Sequence, residues 1–508
     1  MLIDLLTDAV HHAPDGAAVV TAEETVTFTE LLRRVEARAA QIAAMTEAGD
    51  RVAVLAENCV AYVELYYAAP LADRILVPLN HRLHPEEWRA TIAAADARVL
   101  FGDPALLDRC DSSVPMVPFS VPPTPALVVF AAPTATEPTN AEESGAPKAR
   151  SDHDVAWLIG TSGTTGTPKL AMLSDANLLA AVEATLPARP VEEDDVLFTP
   201  FPLCHVAGYN VFVAHRRARP IVLQRSFDPV GLAALVRKHR VTMLSLAPTM
   251  IAMLLDHPDI DDADLATVRA LGYGASPIPA PVLQRVIDRW NWDCSQGFGM
   301  TELAGNAAFL GPDDHRGAAA GDERLLAAAG RPSPGVEARL APDDELLIRA
   351  PQVMRGYWND ARATTDALDG GWLHTGDIAR IDDDGLISIV DRKKDVIVSG
   401  GENVASREVE AVLFQHPAVK DVAVIGLPHH RWGEQVCAVV VAREAVDAEM
   451  LITHCRDQLA GFKTPRRIEF TAALPRNASG KVLKHQLRAA LAAGLQRSEE
   501  HTSELQSR

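Results

Sequence analysis

Several things are scarce in this sequence, and each scarcity removes a class of function. Six cysteines in 508 residues (Cys59, Cys110, Cys204, Cys294, Cys437 and Cys455) are scattered with no C-x-x-C pair. That pattern argues against a disulfide framework or a zinc site and points to a reducing compartment. No run of about 18 apolar residues occurs, so no membrane-spanning helix is expected. The opening Met1-Leu2-Ile3-Asp4-Leu5-Leu6 lacks a basic segment, so a secretory signal is not expected and a cytoplasmic setting is. Basic residues are outnumbered, 48 Lys and Arg against 68 Asp and Glu, for a formal charge of −20. Such a balance disfavours nucleic acid and anionic membranes as partners, yet leaves room for a local cationic site that grips a nucleotide. There is no G-x-S-x-G elbow, hence no support for a serine hydrolase. The His11-His12 and His429-His430 pairs lack metal-ligand spacing and read as surface.

What is present is an alternation of apolar runs. At this length two or three domains are expected. Thr27 and Glu30 form a capping box before an amphipathic helix over 28–45. Strands are expected at 51–55, 75–79 and 98–101, separated by helices at 62–72 and 85–95. This order implies a parallel sheet with right-handed crossovers. Residues 112–150, rich in Pro, Ala, Ser and Thr, read mostly as connecting loop around an apolar island at 126–130. Helices at 176–186, 228–239, 250–255 and 281–290 then alternate with strands at 155–159, 241–246 and 268–273, and 296–299 opens a loop. From 337 to 398 short strands with turns predict a small β-barrel or meander. The charged run 391–395 marks a boundary, followed by enough alternation for a separate α+β unit. The expected architecture is a large N-terminal α/β domain (1–390, two doubly wound βα subdomains plus the small β-barrel) and a smaller α+β C-terminal domain (391–496). Residues 497–508 are polar and patternless, and read as a non-native tail.

One stretch concentrates chemistry. Residues 160–169 hold three glycines, five hydroxyl side chains and a lysine, directly after the apolar strand Val155-Ala156-Trp157-Leu158-Ile159. Glycines allow close backbone approach, and successive N–H groups with hydroxyls and a lysine make an anion-binding nest. It is not a Walker A loop, because Thr167-Pro168 separates Gly166 from Lys169. Taken alone, a Ser/Thr/Gly-rich surface loop is the better reading of it.

The later motifs decide between the two. In order come Pro202-Leu203-Cys204-His205-Val206-Ala207-Gly208, Gly297-Phe298-Gly299-Met300-Thr301-Glu302 and Gly371-Trp372-Leu373-His374-Thr375-Gly376-Asp377. Asp391-Arg392-Lys393-Lys394-Asp395 follows, with Gly400-Gly401-Glu402-Asn403, and finally Pro475-Arg476-Asn477-Ala478-Ser479-Gly480-Lys481. Together with residues 160–169 they resemble the AMP-forming adenylating superfamily, in its acyl-CoA synthetase branch, across residues 1–490.

The resemblance implies a two-step ligase: a carboxylate attacks the α-phosphorus of ATP, and the thiol of CoA then displaces AMP. Neither step needs a protein nucleophile, so positioning and charge stabilisation are the tasks. By resemblance, Thr161, Ser162, Gly163, Thr164, Thr165, Gly166 and Lys169 cradle the β- and γ-phosphates. Thr301 touches the α-phosphate and Glu302 holds Mg²⁺, a hard ion suited to carboxylate and phosphate oxygens. Gly274, Ala275, Ser276, Phe298, Gly299 and Met300 surround the adenine; tyrosine is commoner at position 298. Asp377, with Arg392, accepts the ribose hydroxyls, as acidic residues do in dinucleotide folds. Lys481 serves the carboxylate and α-phosphate in the first step. Lys394 is the hinge; Ser399, Gly400 and Gly401 line the pantetheine path, and Lys463 meets the nucleotide end of CoA. Leu170, and Ala405 with Ser406, depart from the family's usual flanking residues.

His205 falls at the mouth of the acyl site by the same resemblance. No acid stands near it, and a buried substrate ammonium without a counter-charge is costly, so an amino acid is disfavoured. Gly208, Gly272 and Gly305 are expected to leave room for an apolar chain, with Tyr273 narrowing the space. A medium- or long-chain fatty acid is the expected substrate. The rivals are an acyl-AMP ligase loading a carrier protein and a catalytically silent nucleotide- or acyl-binding relative. A homodimer is compatible with the sequence.

Overall fold

The first βαβ alternation folds as its pattern requires. In the computed structural model the described residues are 1–120, 151, 154–161, 169–274, 278, 280–326, 328–429, 431–476 and 482–492. The expected strand Arg51–Leu55 and helix Pro85–Ala95 form with those bounds, as does the helix Phe28–Met45, where Thr27 accepts a cap bond from the Glu30 amide at 3.2 Å. Arg51–Leu55 lies parallel to Ile75–Pro78 and to Ala97–Gly102. This six-stranded sheet ends on the antiparallel hairpin Val155–Thr161 and Lys169–Ser174. The apolar island at 126–130 lies outside the described residues.

A second sheet of the same unit runs Ala328–Pro332, Gly305–Leu310, Asp293–Met300, Ala270–Gly274, Met243–Leu246, Leu197–Thr199, Ile221–Leu223, Ala17–Val20, Thr25–Thr27. Its centre is parallel, and helices such as Pro229–His239 and Ala280–Trp290 carry the crossovers. Leu244, Leu271, Val236, Val286 and Cys294 are fully buried in its core. Residues 296–299, expected to open a loop, instead continue the strand Asp293–Met300 and pair antiparallel with Gly305–Leu310. The glycines explain this: a Cβ at Gly299 would collide with the Gly305 carbonyl, and one at Gly297 with the Asn306 amide. They permit a close approach of backbones rather than a turn.

The chain divides into two compact units, Met1–Glu337 with Arg349–Leu373, and Ala338–Ile348 with His374–Arg508. The division comes before the charged run at 391–395 because Asp377 to Ile381 pair with Ile387 to Arg392, tying both segments into one unit. The second unit also contains a five-stranded sheet in the order Glu402–Val404, Ile397–Ser399, Gly433–Ala442, Val419–His429, with Arg467–Phe470 parallel to Gly433–Ala442. The helices Ser406–Phe414 and Ala448–Arg456 place Val409, Leu413, Leu451 and Cys455 in its core. The fold is therefore a large N-terminal α/β domain followed by a smaller C-terminal domain. No described helix is long and apolar enough to cross a membrane.

Candidate active site

In the first unit the hairpin holds the two ends of the glycine-rich stretch together. Thr161 and Lys169 are register partners, and the Thr161 hydroxyl donates to the Lys169 carbonyl at 3.3 Å. Ser162, Gly163, Thr164, Thr165 and Gly166 lie outside the described residues, as do Ala275, Ser276 and Lys481.

Glu302 sits in a short 3₁₀ turn, Thr301–Leu303, at the end of the strand Asp293–Met300. Its carboxylate is buried and accepts a 2.7 Å hydrogen bond from the phenol of Tyr357. The Lys169 ammonium stands 5.2 Å from the centroid of the same ring. Tyr357 thus joins two residues that are far apart in sequence. Burial and the Glu302 charge push the phenol's pKa well up, so it remains a donor at any physiological pH.

The segment around Tyr357 is zipped into place by backbone bonds. The amides of Arg355 and Trp358 donate to the carbonyls of Met172 and Leu170, and the Met354 amide donates to the Glu302 carbonyl at 2.8 Å. The Gln352 side chain donates to the carbonyls of Leu303 and Asn306, and Asn177 to those of Pro351 and Val353. Residues 351–358 carry none of the motifs read from the sequence. Their only signal there is a glycine before an aromatic pair, Gly356-Tyr357-Trp358.

One buried carboxylate suits Mg²⁺, which takes one or two carboxylates and completes its shell with phosphate oxygens and water. Among the described residues no group of three or more His, Cys, Asp or Glu converges as an all-protein metal cage would require. Phe298 and Met300 are half-buried beside Glu302's turn, and Gly274 ends the neighbouring strand with its Cβ position against the Gly297 carbonyl.

His205 precedes the 3₁₀ turn Val206–Tyr209. Its Nε2 is buried without a hydrogen-bond partner among the described residues. Burial, with Arg82 and His81 nearby, pulls its pKa down to about 4, so the ring is neutral at pH 7.

The glycines expected to leave room for a chain do not leave it empty. A Cβ at Gly208 would strike the Tyr66 hydroxyl, which donates to the Leu203 carbonyl. At Gly272 it would strike the Arg189 guanidinium, and at Gly305 it would come 3.1 Å from the Tyr209 ring. Tyr209 is itself bonded to Thr185 and Asn306. Tyr273 donates to His315 Nε2 at 2.8 Å rather than standing free.

In the second unit Asp377 is 2% exposed and forms a 2.9 Å ion pair with Arg392, its register partner across the hairpin. Arg392 also donates to the Thr375 carbonyl at 3.2 Å. Ser399 is buried; Gly400 and Gly401 follow with φ of +66° and +88°, where a side chain would be strained. The Gly400 amide donates to the Trp432 carbonyl. Lys394 is exposed in the turn closed by the Asp395 amide bonding the Arg392 carbonyl. Lys463 is not free: both Glu408 carboxylate oxygens hold its ammonium, at 2.6 and 2.7 Å.

Comparison with known proteins completes the description. The family model described as AMP-binding enzyme matches residues 6–358, and that described as AMP-binding enzyme C-terminal domain matches 408–481. The chain is 35% identical over 489 residues to a feruloyl-CoA synthase of an Amycolatopsis species, covering 94% of this chain and 96% of the relative. It is 31% identical over 455 residues to a long-chain-fatty-acid–CoA ligase of Mycobacterium tuberculosis, covering 87% and 88%. Its fold is similar to o-succinylbenzoate coenzyme A synthetase of Bacillus subtilis, solved in complex with ATP and magnesium ion. That likeness has a TM-score of 0.83 at 28% identity and covers 95% and 98% of the two chains.

Proposed function

The chain belongs to the AMP-binding enzyme family, and on that premise we propose how its residues divide the work of an AMP-forming acid–CoA ligase. The enzyme uses ATP, Mg²⁺ and CoA. An acid carboxylate attacks the α-phosphorus, pyrophosphate leaves, and the CoA thiol then displaces AMP from the acyl carbon.

The observation that carries the assignment of residues is the meeting of Lys169 and Glu302 on Tyr357. A cation for phosphate and a buried carboxylate for Mg²⁺ would otherwise have no reason to share one ring. Lys169 and Thr161, with Ser162, Gly163, Thr164, Thr165 and Gly166, take the β- and γ-phosphates. Glu302 holds the Mg²⁺ that neutralises phosphate charge, and Thr301 meets the α-phosphate. Gly274, Ala275, Ser276, Phe298, Gly299 and Met300 pack around the adenine. Asp377, held in place by Arg392, accepts the ribose hydroxyls. Lys481 serves the first step. Lys394 is the hinge; Ser399, Gly400 and Gly401 serve the pantetheine arm. Lys463 reaches CoA phosphate only by exchanging Glu408 for it.

His205, neutral at pH 7, contributes shape and a hydrogen bond at the acyl end, not charge. The medium- or long-chain fatty acid expected from the sequence has the Mycobacterium tuberculosis ligase as its support. The groups standing over Gly208, Gly272 and Gly305 favour a compact acid instead, because two phenols and a guanidinium occupy the space an alkyl chain would need.

The test is a carboxylic-acid panel with ATP, Mg²⁺ and either CoA or a holo carrier protein, read by AMP release and product mass. Thioester formation on CoA is expected; acylation of the carrier alone favours the rival acceptor. Lys481→Ala should abolish acid-dependent ATP–pyrophosphate exchange yet leave thioester formation from supplied acyl-AMP largely intact. Equal loss of both steps removes Lys481 from its role.

A further inference from the structure

Arg189 follows the helix Asp175–Thr185 and is flanked by Pro187 and Pro190, which stiffen the backbone on both sides. Its amide donates to the Thr185 carbonyl at 2.9 Å. From there its side chain turns inward over the second sheet. Nη2 donates to the Ser245 hydroxyl at 3.0 Å and Nη1 to the Asn210 side-chain oxygen at 3.4 Å.

The sheet is shaped to admit it. Ser245, Gly272 and Ser295 are register partners across three neighbouring parallel strands. Strands buried on both faces usually read as unbroken Val, Ile and Leu. Here a Ser-Gly-Ser row crosses them, and any Cβ at Gly272 would collide with the guanidinium. The Ser295 hydroxyl also donates to the Ala188 carbonyl.

What the site lacks is a counter-charge. Burial disfavours the charged form of Arg189, and no carboxylate among the described residues stands beside it. The buried Arg38, by contrast, is paired with Glu64 at 3.0 Å. Arginine does not lose its proton in proteins, so this half-buried guanidinium, holding two neutral oxygens, keeps an uncompensated charge that an anion can meet.

The row lies where an acid would arrive. Gly272 is two residues before Gly274 on the same strand, about 6–7 Å deeper into the sheet. Ligands of such sheets bind at the carboxyl ends of the strands. Asn210, which holds Nη1, donates to the Ala207 carbonyl in the segment that carries His205.

We infer that Arg189 is the specificity-determining residue for the far end of the acid, and that the acid carries a second carboxylate there. A neutral oxygen would supply a hydrogen bond but leave the charge uncompensated. A carboxylate supplies both, and matches the guanidinium fork. The inference rests on the ligase reading above. The substrate class is a compact dicarboxylic acid, one carboxylate adenylated and the other bound by Arg189.

The experiment pairs acids of equal length that differ only at the far end: succinate to suberate against butanoate to octanoate, and isophthalate against benzoate. Each is assayed by acid-dependent ATP–pyrophosphate exchange and by thioester mass. The best diacid should exceed its monoacid partner by at least about 100-fold in kcat/KM, since a site built around a polar group rejects analogues that leave it unpaired. Arg189→Met, close in length and uncharged, should lower diacid turnover and raise that of the matched monoacid, narrowing or inverting the ratio. Preference of the wild type for monoacids, or equal turnover of both, overturns the assignment and leaves the ligase reading standing. An equal fall for both acids in Arg189→Met also overturns it, since that marks a structural role. If that variant does not fold, the wild-type ratio alone decides. No acid-dependent exchange with any member of the panel counts against both readings.

Discussion

Tyr357→Phe removes one oxygen and leaves the ring, so it isolates the bond to Glu302. The phenol donates to a buried carboxylate at 2.7 Å, and the Lys169 ammonium keeps its 5.2 Å approach to the ring. A hydrogen bond to a charged group is worth about 1.5–3 kcal/mol, which corresponds to roughly 10–150-fold in an equilibrium constant. Loss of a partner that orients a metal ligand typically lowers metal affinity by about 10–100-fold. A carboxylate has lone pairs for both a phenol and a metal ion, so the bond supports metal binding and does not compete with it. The assay is acid-dependent ATP–pyrophosphate exchange at fixed ATP against free Mg²⁺. The Mg²⁺ midpoint should rise by about 10–100-fold, and the rate at saturating Mg²⁺ should recover to within several-fold. Tyr357→Leu should add a further few-fold loss in ATP affinity, because it also removes the cation–π contact, worth about 0.5–1 kcal/mol. An unchanged Mg²⁺ midpoint in Tyr357→Phe refutes the reasoning and detaches Glu302 from the metal.

Four other outcomes are expected. Gly299→Ala should disrupt the pairing of Asp293–Met300 with Gly305–Leu310 and lower both stability and Mg²⁺-dependent exchange, by about 1–3 kcal/mol or more in urea unfolding. Gly160→Ala, whose Cβ would meet only Leu170 Cδ2 at 4.0 Å, should change stability little. Asp377→Asn should raise the KM for ATP by about 10–100-fold with a smaller effect on kcat; an unaltered KM removes Asp377 from the ribose. His215 is buried, with Nδ1 accepting from Tyr67 and Nε2 donating to the Ala18 carbonyl, so it is neutral in the fold. Burial pulls its pKa down from 6.5 to about 4. The unfolded chain therefore binds the extra proton between those values, and stability present above pH 6.5 falls as pH drops toward 4, by about 3 kcal/mol. His215→Gln should reduce the slope of urea stability against pH by about one proton across that window, and an unaltered slope would falsify the assignment.

Most of the βα alternation was legible because its strands are buried and bounded by turn residues, as at Arg51–Leu55 and Pro85–Ala95. The strand Asp293–Met300 was not, because its closing glycines look like a turn while serving close backbone contact. The motifs singled out Glu302 and Lys169, which the structure brings to one ring. Tyr357 was missed because its importance comes from backbone pairing with Lys169–Ser174, which leaves no period or spacing in the sequence. Gly272 was recognised as small, but which side chain fills the space above it depends on a residue more than eighty positions earlier.

The seating of Arg189 on Gly272 also constrains the order in which this enzyme can change. Positions 189 and 272 cannot both carry a large side chain, since the guanidinium occupies the volume that any Cβ at 272 would take. Replacement of Gly272 first meets a steric barrier, whereas shortening residue 189 first opens the position. The two substitutions are neighbours whose effects do not add. Gly272→Ala should be damaging in the parent and far milder beside Arg189→Ala. A lineage that exchanges a charged acid for an apolar one would therefore pass through position 189 before it reaches the sheet.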